Sequence, residues 1–289
     1  MFSKLLLIFL ISSNLLVGFQ APTKQSQVLG VSDSIGPIKI DSVYLDVQIS
    51  SSHVIALDIE SGKIIYSKGD KETRPIASLT KLISMLVILD LNPDWQVATI
   101  MPYSSTFEGN KYIKQSEEIT LDDLFYTALV GSDNSAVKAL IKALGFEETK
   151  FVDLMNQKAI DIGLDNTHFV DSTGLSEKNI STARDVAKLF MLALKNSKIK
   201  DALSTEKYIF SSQLGNHTVI NTNLLLASQN FQITAGKTGY TDEAGWCLAT
   251  QGDIQGHPVL TVILGSNTDT NRFQDTKSIY WWLDQNYHW

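Results

Sequence analysis

The sequence predicts an α+β fold: an antiparallel sheet packed by helices, with one all-helical region inserted between its strands. Three observations predict it. Strand patterns stand near both ends of the chain, helical periods fill the middle from about residue 78 to 194, and strand–helix–strand alternation is not evident. The last point disfavours a doubly wound parallel sheet.

Taken in order, His53 to Asp58 and Lys63 to Tyr66 read as two strands around a Glu60-Ser61-Gly62 turn. A helix should start near Ser78 and run to about Asp90. Thr120 with Asp123 forms a capping box ahead of Leu124, Ala128 and Leu129. A second helix follows Ser135 and stops at Gly145. Phe151 to Gly163 and Thr182 to Leu194 continue the helical period. The period then changes, and Tyr208 to Ser211, His217 to Asn221, Gly245 to Thr250 and Pro258 to Gly265 read as strands. Gly252 to Gly256 should join the last two as a hairpin. Asp275 to Asp284 reads as a closing helix with Ile279, Trp282 and Leu283 on its apolar face.

The 289 residues carry 24 Lys and Arg against 31 Asp and Glu, a formal net charge of -7. An acidic chain with no broad basic footprint argues against a nucleic-acid partner. Its one cysteine, Cys247, cannot close an internal disulfide, and cysteine-cluster metal sites are excluded. The neighbours Trp246, Leu248 and Ala249 predict a buried structural thiol. His53, His168, His217, His257 and His288 lie in no metal-ligand spacing, so neither a metal nor a cofactor is expected. The aromatic residues near the C-terminus, from Tyr280 to Trp289, read as packing residues. Lys4 followed by the mostly apolar Leu5 to Val17 reads as a targeting segment, in the length range of a signal-peptide core and short for a membrane span. Residues 1–21 are therefore expected to be a signal peptide or N-terminal anchor, 22–41 a linker, and 42–289 the functional domain.

The chemistry is marked first by Ser78-Leu79-Thr80-Lys81 and the apolar run that follows to Leu89. A helix apolar almost all round is buried. This one carries a single charge, Lys81, one turn from Ser78 at the positive end of the helix dipole. Burial disfavours the charged form of a lysine, and bringing its pKa to about 7 takes roughly 5 kcal/mol of differential interaction. A neutral lysine beside a serine hydroxyl is a general base. The same spacing recurs at Ser197 with Lys200 and at Ser204 with Lys207, but in polar stretches where a solvated lysine is expected.

Two further elements are weak alone. Lys237-Thr238-Gly239 follows Gly236 and precedes a predicted strand, and a phosphate-loop reading fails because Phe231 stands where that motif needs glycine. Glycines beside a lysine at a strand edge let an extended peptide approach and pair. Ser132-Asp133-Asn134 sits at an inter-helix turn marked by Gly131, where such residues are also common for conformational reasons.

Together, S-x-x-K, S-x-N and K-T-G in that order resemble the penicillin-binding proteins and serine β-lactamases. Arg74 to Lys81, Thr182-Ala183-Arg184-Asp185, Asn221-Thr222-Asn223 and Lys237 to Gly245 narrow the resemblance to the low-molecular-weight D-alanyl-D-alanine carboxypeptidases, over about Ser51 to Tyr287. That resemblance implies a penicillin-recognising, β-lactamase-like fold with a five-stranded antiparallel sheet. It implies Ser78 as nucleophile, Lys81 as its base and Ser132 as a proton relay supported by Lys237. Asn134 would hold the substrate amide or Lys81, and Thr238 would contact the terminal carboxylate. The backbone N–H groups of Ser78 and of Tyr240, which follows Gly239, would bind the oxyanion. Arg272 falls where the family has a carboxylate-binding arginine, although a surface arginine fits the same position. Peptidoglycan stem peptides are the implied substrate, β-lactams the implied covalent inhibitors, and the cell envelope or exterior the implied location, with a membrane tether through the N-terminal segment as one arrangement. The expected reaction is removal of the terminal D-alanine. The alternative is cutting of cross-links, as in shorter D,D-endopeptidases of this kind. A β-lactamase would need a second base, and the one offer, Glu177 with Asn179, is too closely spaced. A non-catalytic wall-binding sensor is disfavoured by the intact Ser78, Lys81, Ser132, Asn134 and Lys237.

Overall fold

The computed structural model describes residues 36–40, 46–101, 112–228 and 231–289. These all belong to one compact unit, Ser32–Trp289. The targeting segment expected at 1–21 lies outside the described residues, as does most of the stretch read as linker. The end of that stretch is docked: Ile38 and Lys39 pair antiparallel with His288 and Tyr287.

The centre is a five-stranded antiparallel sheet. Its strands are β1 (His53–Asp58), β2 (Ile64–Lys68), β3 (Gln232–Thr241), β4 (Gly245–Ile254) and β5 (His257–Ser266), in the order β3-β4-β5-β1-β2. The alternation of the strand residues assigns them to two cores. Val54, Ala56, Val259 and Ile263 pack against Ile279, Tyr280, Trp282 and Leu283 of the closing helix. Ile55, Leu57, Leu260, Val262 and Leu264 face the larger helical core. With both faces covered, β1 carries apolar residues at successive positions.

Seven helices are described: α1 (Lys81–Asp90), α2 (Leu121–Val130), α3 (Asn134–Ala143), α4 (Glu148–Asp161), α5 (Ala183–Leu194), α6 (Ser197–Ser204) and α7 (Asp269–Asn286). All but α1 and α4 start at a side-chain cap. Thr120 Oγ1 accepts from Asp123 N–H at 3.0 Å, Asp133 Oδ1 from Ala136 N–H at 2.9 Å, and Thr182 Oγ1 from Asp185 N–H at 3.0 Å. At the end of α3, Phe146 N–H reaches Ile141 O and Gly145 N–H reaches Lys142 O, with Gly145 at φ +79°. That closure satisfies two orphan carbonyls and needs the glycine.

Several expectations shift. Ser78 lies in a 3-10 turn, Ala77–Thr80, and α1 proper begins at Lys81. Lys237-Thr238-Gly239 lies within β3 rather than before a strand. The strand β4 runs on to Ile254, so the hairpin to β5 turns more tightly than the glycines suggested, at Gln255-Gly256. The strands near Tyr208 and His217 form a hairpin of their own, Lys207–Ser212 with Gly215–Ile220, outside the main sheet. α6 was read as polar chain, and α7 begins at Asp269 rather than Asp275. The five-stranded antiparallel sheet with a helical block between β2 and β3 is the predicted architecture.

Candidate active site

The site forms where α1, the turn between α2 and α3, and the free edge of β3 converge. Lys81 is fully buried, while Ser78, one turn before it, is only partly covered. Lys81 Nζ lies 2.8 Å from Ser78 Oγ, 2.5 Å from Asn134 Oδ1 and 2.9 Å from the carbonyl oxygen of Thr173. A protonated amine donates to all three. A neutral amine has two hydrogens, and the Asn134 and Thr173 oxygens can only accept. Those two oxygens take the two hydrogens, which leaves the lone pair facing Ser78 Oγ, whose hydroxyl then donates to it. Burial lowers the pKa of Lys81 to about 7, with a push in the same direction from Lys138. Asp133 and Asp171 pull the other way.

The second lysine stands across the cleft. Lys237, 1 % exposed, donates to Ser132 Oγ at 2.6 Å and to Thr238 O at 3.0 Å. Burial holds its pKa well below the ordinary lysine range, and the neighbouring Lys81 and Arg272 charges add to that. Ser132 itself has φ +57°, a left-handed conformation that a serine rarely adopts. Ala77, beside Ser78, has φ +48°. Two strained residues at one cleft mark a backbone held in place by its surroundings.

β3 reaches Ser78 only because position 239 has no side chain. A Cβ on Gly239 would stand 2.9 Å from Ser78 N and 3.1 Å from Ile76 O. Tyr240, next along the strand, is 46 % exposed and stacks on Trp246 at 4.0 Å between ring centroids. Thr238 points to the other side of β3 and donates to Thr222 Oγ1 at 2.6 Å.

Arg272 is buried, which removes the surface reading. Its guanidinium lies behind β3 and β4, donating to Gly239 O at 3.2 Å and Cys247 O at 3.1 Å and pairing with Asp269. It also lies over the rings of Trp246 and Phe273. The structure thus brings Ser78, Lys81 and Asn134 into one hydrogen-bonded group, links Ser132 to Lys237, and sets Arg272 behind the strand. Cys247 is buried, as its neighbours predicted.

What the sequence reading missed is the segment from Asp171 to Asn179. It supplies the Thr173 oxygen to Lys81, and Gly174 packs against Ala77. Its Asn179 is buried and donates to Thr80 Oγ1 and Asp171 O, while Glu177 is exposed. The one signal for it was an Asp-Ser-Thr-Gly run, a pattern in which the aspartate caps its own turn. Among the described residues no cluster of His, Cys, Asp and Glu could hold a metal ion.

A profile of the D-alanyl-D-alanine carboxypeptidases, peptidase family S11, matches residues 40–268. The chain belongs to this family. It is 32% identical to the D-alanyl-D-alanine endopeptidase of Escherichia coli over 82% of this chain and 78% of that one. It is 29% identical to the D-alanyl-D-alanine carboxypeptidase DacF of Bacillus subtilis over 75% of this chain and 58% of that one. The structure of the Streptomyces K15 DD-transpeptidase superposes with a TM-score of 0.74 at 26% identity, covering 82% of this chain and 97% of that one. Family membership makes the chain a serine peptidase with the penicillin-recognising fold.

Proposed function

We propose that the protein cleaves the D-alanyl-D-alanine end of peptidoglycan stem peptides through an acyl-enzyme on Ser78, removing the terminal D-alanine. The supporting observation is the three-way coordination of Lys81, which leaves a neutral amine able to accept only from Ser78. Ser78 Oγ attacks the carbonyl carbon as its proton passes to Lys81 Nζ. The developing oxyanion is bound by the N–H groups of Ser78 and Tyr240, where each donor is worth about 3 kcal/mol. As the tetrahedral intermediate collapses, the leaving amine takes a proton through Ser132, which Lys237 orients. Water then attacks the ester with Lys81 again accepting a proton. Asn134 holds Lys81 and lies within reach of the substrate amide. Thr238 and Arg272 give the strand edge its affinity for the terminal carboxylate, Arg272 by its charge from behind the strand.

Such a site also accepts β-lactams, which mimic the scissile dipeptide and acylate Ser78; the one carboxylate the sequence offered as a second base, Glu177, is not among the partners of Lys81. Glu177 is exposed to solvent. The cell-wall substrate puts the working location outside the cytoplasm, and the N-terminal segment is read as the export signal or tether. Among the described residues no helix is long and apolar enough to cross a membrane.

A second reading, cutting of cross-links, has its own support. The relative named as an endopeptidase is 32% identical to this chain, against 29% for DacF. Incubating the chain from Gln25 onward with a pentapeptide and with a cross-linked muropeptide, followed by mass analysis, separates the two. Release of D-alanine from the pentapeptide supports the first reading. Monomers formed only from the cross-linked substrate replace it with the second. Hydrolysis surviving Ser78→Ala refutes both.

A further inference from the structure

The loop from Asp171 to Asn179 makes no use of its side chains at the reacting atoms, yet it completes the site. Thr173 O is one of the three partners of Lys81. Ser172 O accepts from Ser84 on α1 at 2.6 Å, and Ser172 N–H donates to Glu148 of α4 at 2.8 Å. Gly174 has φ +90°, and a Cβ there would stand 1.9 Å from Ala77 O, so the loop lies flush against the nucleophile turn.

One side chain organises this backbone. Asp171 Oδ1 accepts from the N–H groups of Thr173 at 2.7 Å, Gly174 at 2.7 Å and Leu175 at 3.3 Å, and from Thr173 Oγ1 at 2.9 Å. Its Oδ2 accepts from Ser176 N–H at 2.8 Å. So many donors favour the ionised carboxylate, and although burial opposes it they hold its pKa below the usual range.

We propose that Asp171 is a positioning residue for the general base: it folds the loop that presents Thr173 O to Lys81 and places a fixed negative charge near the amine. This rests on the reading of Lys81 as base. The charged groups facing Lys81 are Asp133 from the turn before α3, Lys138 from α3, Lys237 from β3, and Asp171 from this loop. Asp171 favours the protonated amine, opposing burial, and so raises the pH below which the base is lost.

The two roles leave separate marks, the charge on the position of the acid limb and the folded loop on the plateau rate. Asp171→Asn keeps the shape and the Oδ1 acceptor, removes the charge and sets an amide against Ser176 N–H. Acylation by a fluorescent penicillin, followed across pH, should show a plateau rate lowered roughly tenfold by the loosened Thr173 contact. The acid limb should move to lower pH. Glu177→Gln removes a carboxylate from the same loop, outside this network, and should leave plateau and limb as in the parent. A folded Asp171→Asn protein with the parent's plateau and limb overturns the proposal. So does a limb moved to higher pH, because that reports water entering around a loosened loop and a merely structural aspartate. NMR titration of Lys81 in isotopically labelled parent and variant reads the same shift without penicillin. A parent chain that takes no penicillin counts against the functional reading, whereas equal Lys81 titrations in parent and variant count against Asp171 alone.

Discussion

The 3-10 turn leading into α1 and the start of α6 carry the same Ser-x-x-Lys spacing and differ in what surrounds it. At the head of α1, Ser78 and Lys81 sit under the largest core of the molecule, and the lysine has no exposed surface. On α6, Ser197 and Lys200 are both exposed, because only Ile199, Ala202 and Leu203 face inward. Helical spacing puts hydroxyl and amine on one face in both places, and the structure closes the contact, at 2.8 Å, for Ser78 and Lys81. Only in α1 does burial make the neutral amine competitive with the ammonium at neutral pH. Spacing places the pair, depth gives it a base, and the acceptor oxygens of Asn134 and Thr173 aim it.

The sharpest way to break that comparison is Ser78→Ala. Loss of the nucleophile should lower product release by roughly 10⁴-fold or more and abolish the penicillin adduct, read by intact mass. Next comes Lys81→Arg, which keeps the charge and cannot act as a base. Acylation should fall by roughly 10³-fold, the scale of a lost general base, with thermal melting as the check on folding. Retained acylation would show that burial of Lys81 serves something other than proton transfer.

The contrast between α1 and α6 was legible in the sequence, since one lysine stands in an apolar run and the other among Ser, Lys and Asp. So were the two-sided sheet and the capped helices, because hydrophobic period and Thr, Asp and Gly signals are local. The loop around Thr173 was not legible, for a physical reason. It acts through a backbone carbonyl, which every residue carries, and the need for glycine at position 174 comes from Ala77, which is distant in the chain. The glycines around Lys237 read as places of close approach, without showing what approaches them within the fold: Gly236 faces Asn223 and Gly239 faces Ser78. Arg272 could be aligned from the sequence but not placed, since its partners are the carbonyls of two separate strands.

Gly174→Ala tests the aim of the base without touching its chemistry. The added methyl group would meet Ala77 O in a backbone region that disfavours alanine, so either the loop or the nucleophile turn must move. A displacement of that kind should cost roughly 10²-fold in acylation. An unchanged rate would detach the loop from the site. The pH dependence is gentler. With Lys81 lowered to about 7, acylation should fall tenfold per unit below that value and level off above it. Stability should show the linked sign. Between about 7 and the ordinary 10.5, the unfolded chain holds a proton that folded Lys81 has lost, so stability rises with pH across that window. Lys237 is shifted in the same direction and adds to the slope. Urea midpoints at a series of pH values measure it, and Lys81→Met should flatten the part that belongs to Lys81.

The smallest expected effect isolates the role of depth. Lys200→Ala and Ser197→Ala alter an identical spacing on a helix surface, where both side chains are exposed. Acylation and product release should stay within about twofold of the parent, and stability within about 0.5 kcal/mol. If either substitution suppressed acylation as Lys81→Arg does, spacing alone would be sufficient for the chemistry. The buried network of Lys81, Asn134 and Thr173 would then be packing rather than the source of the base.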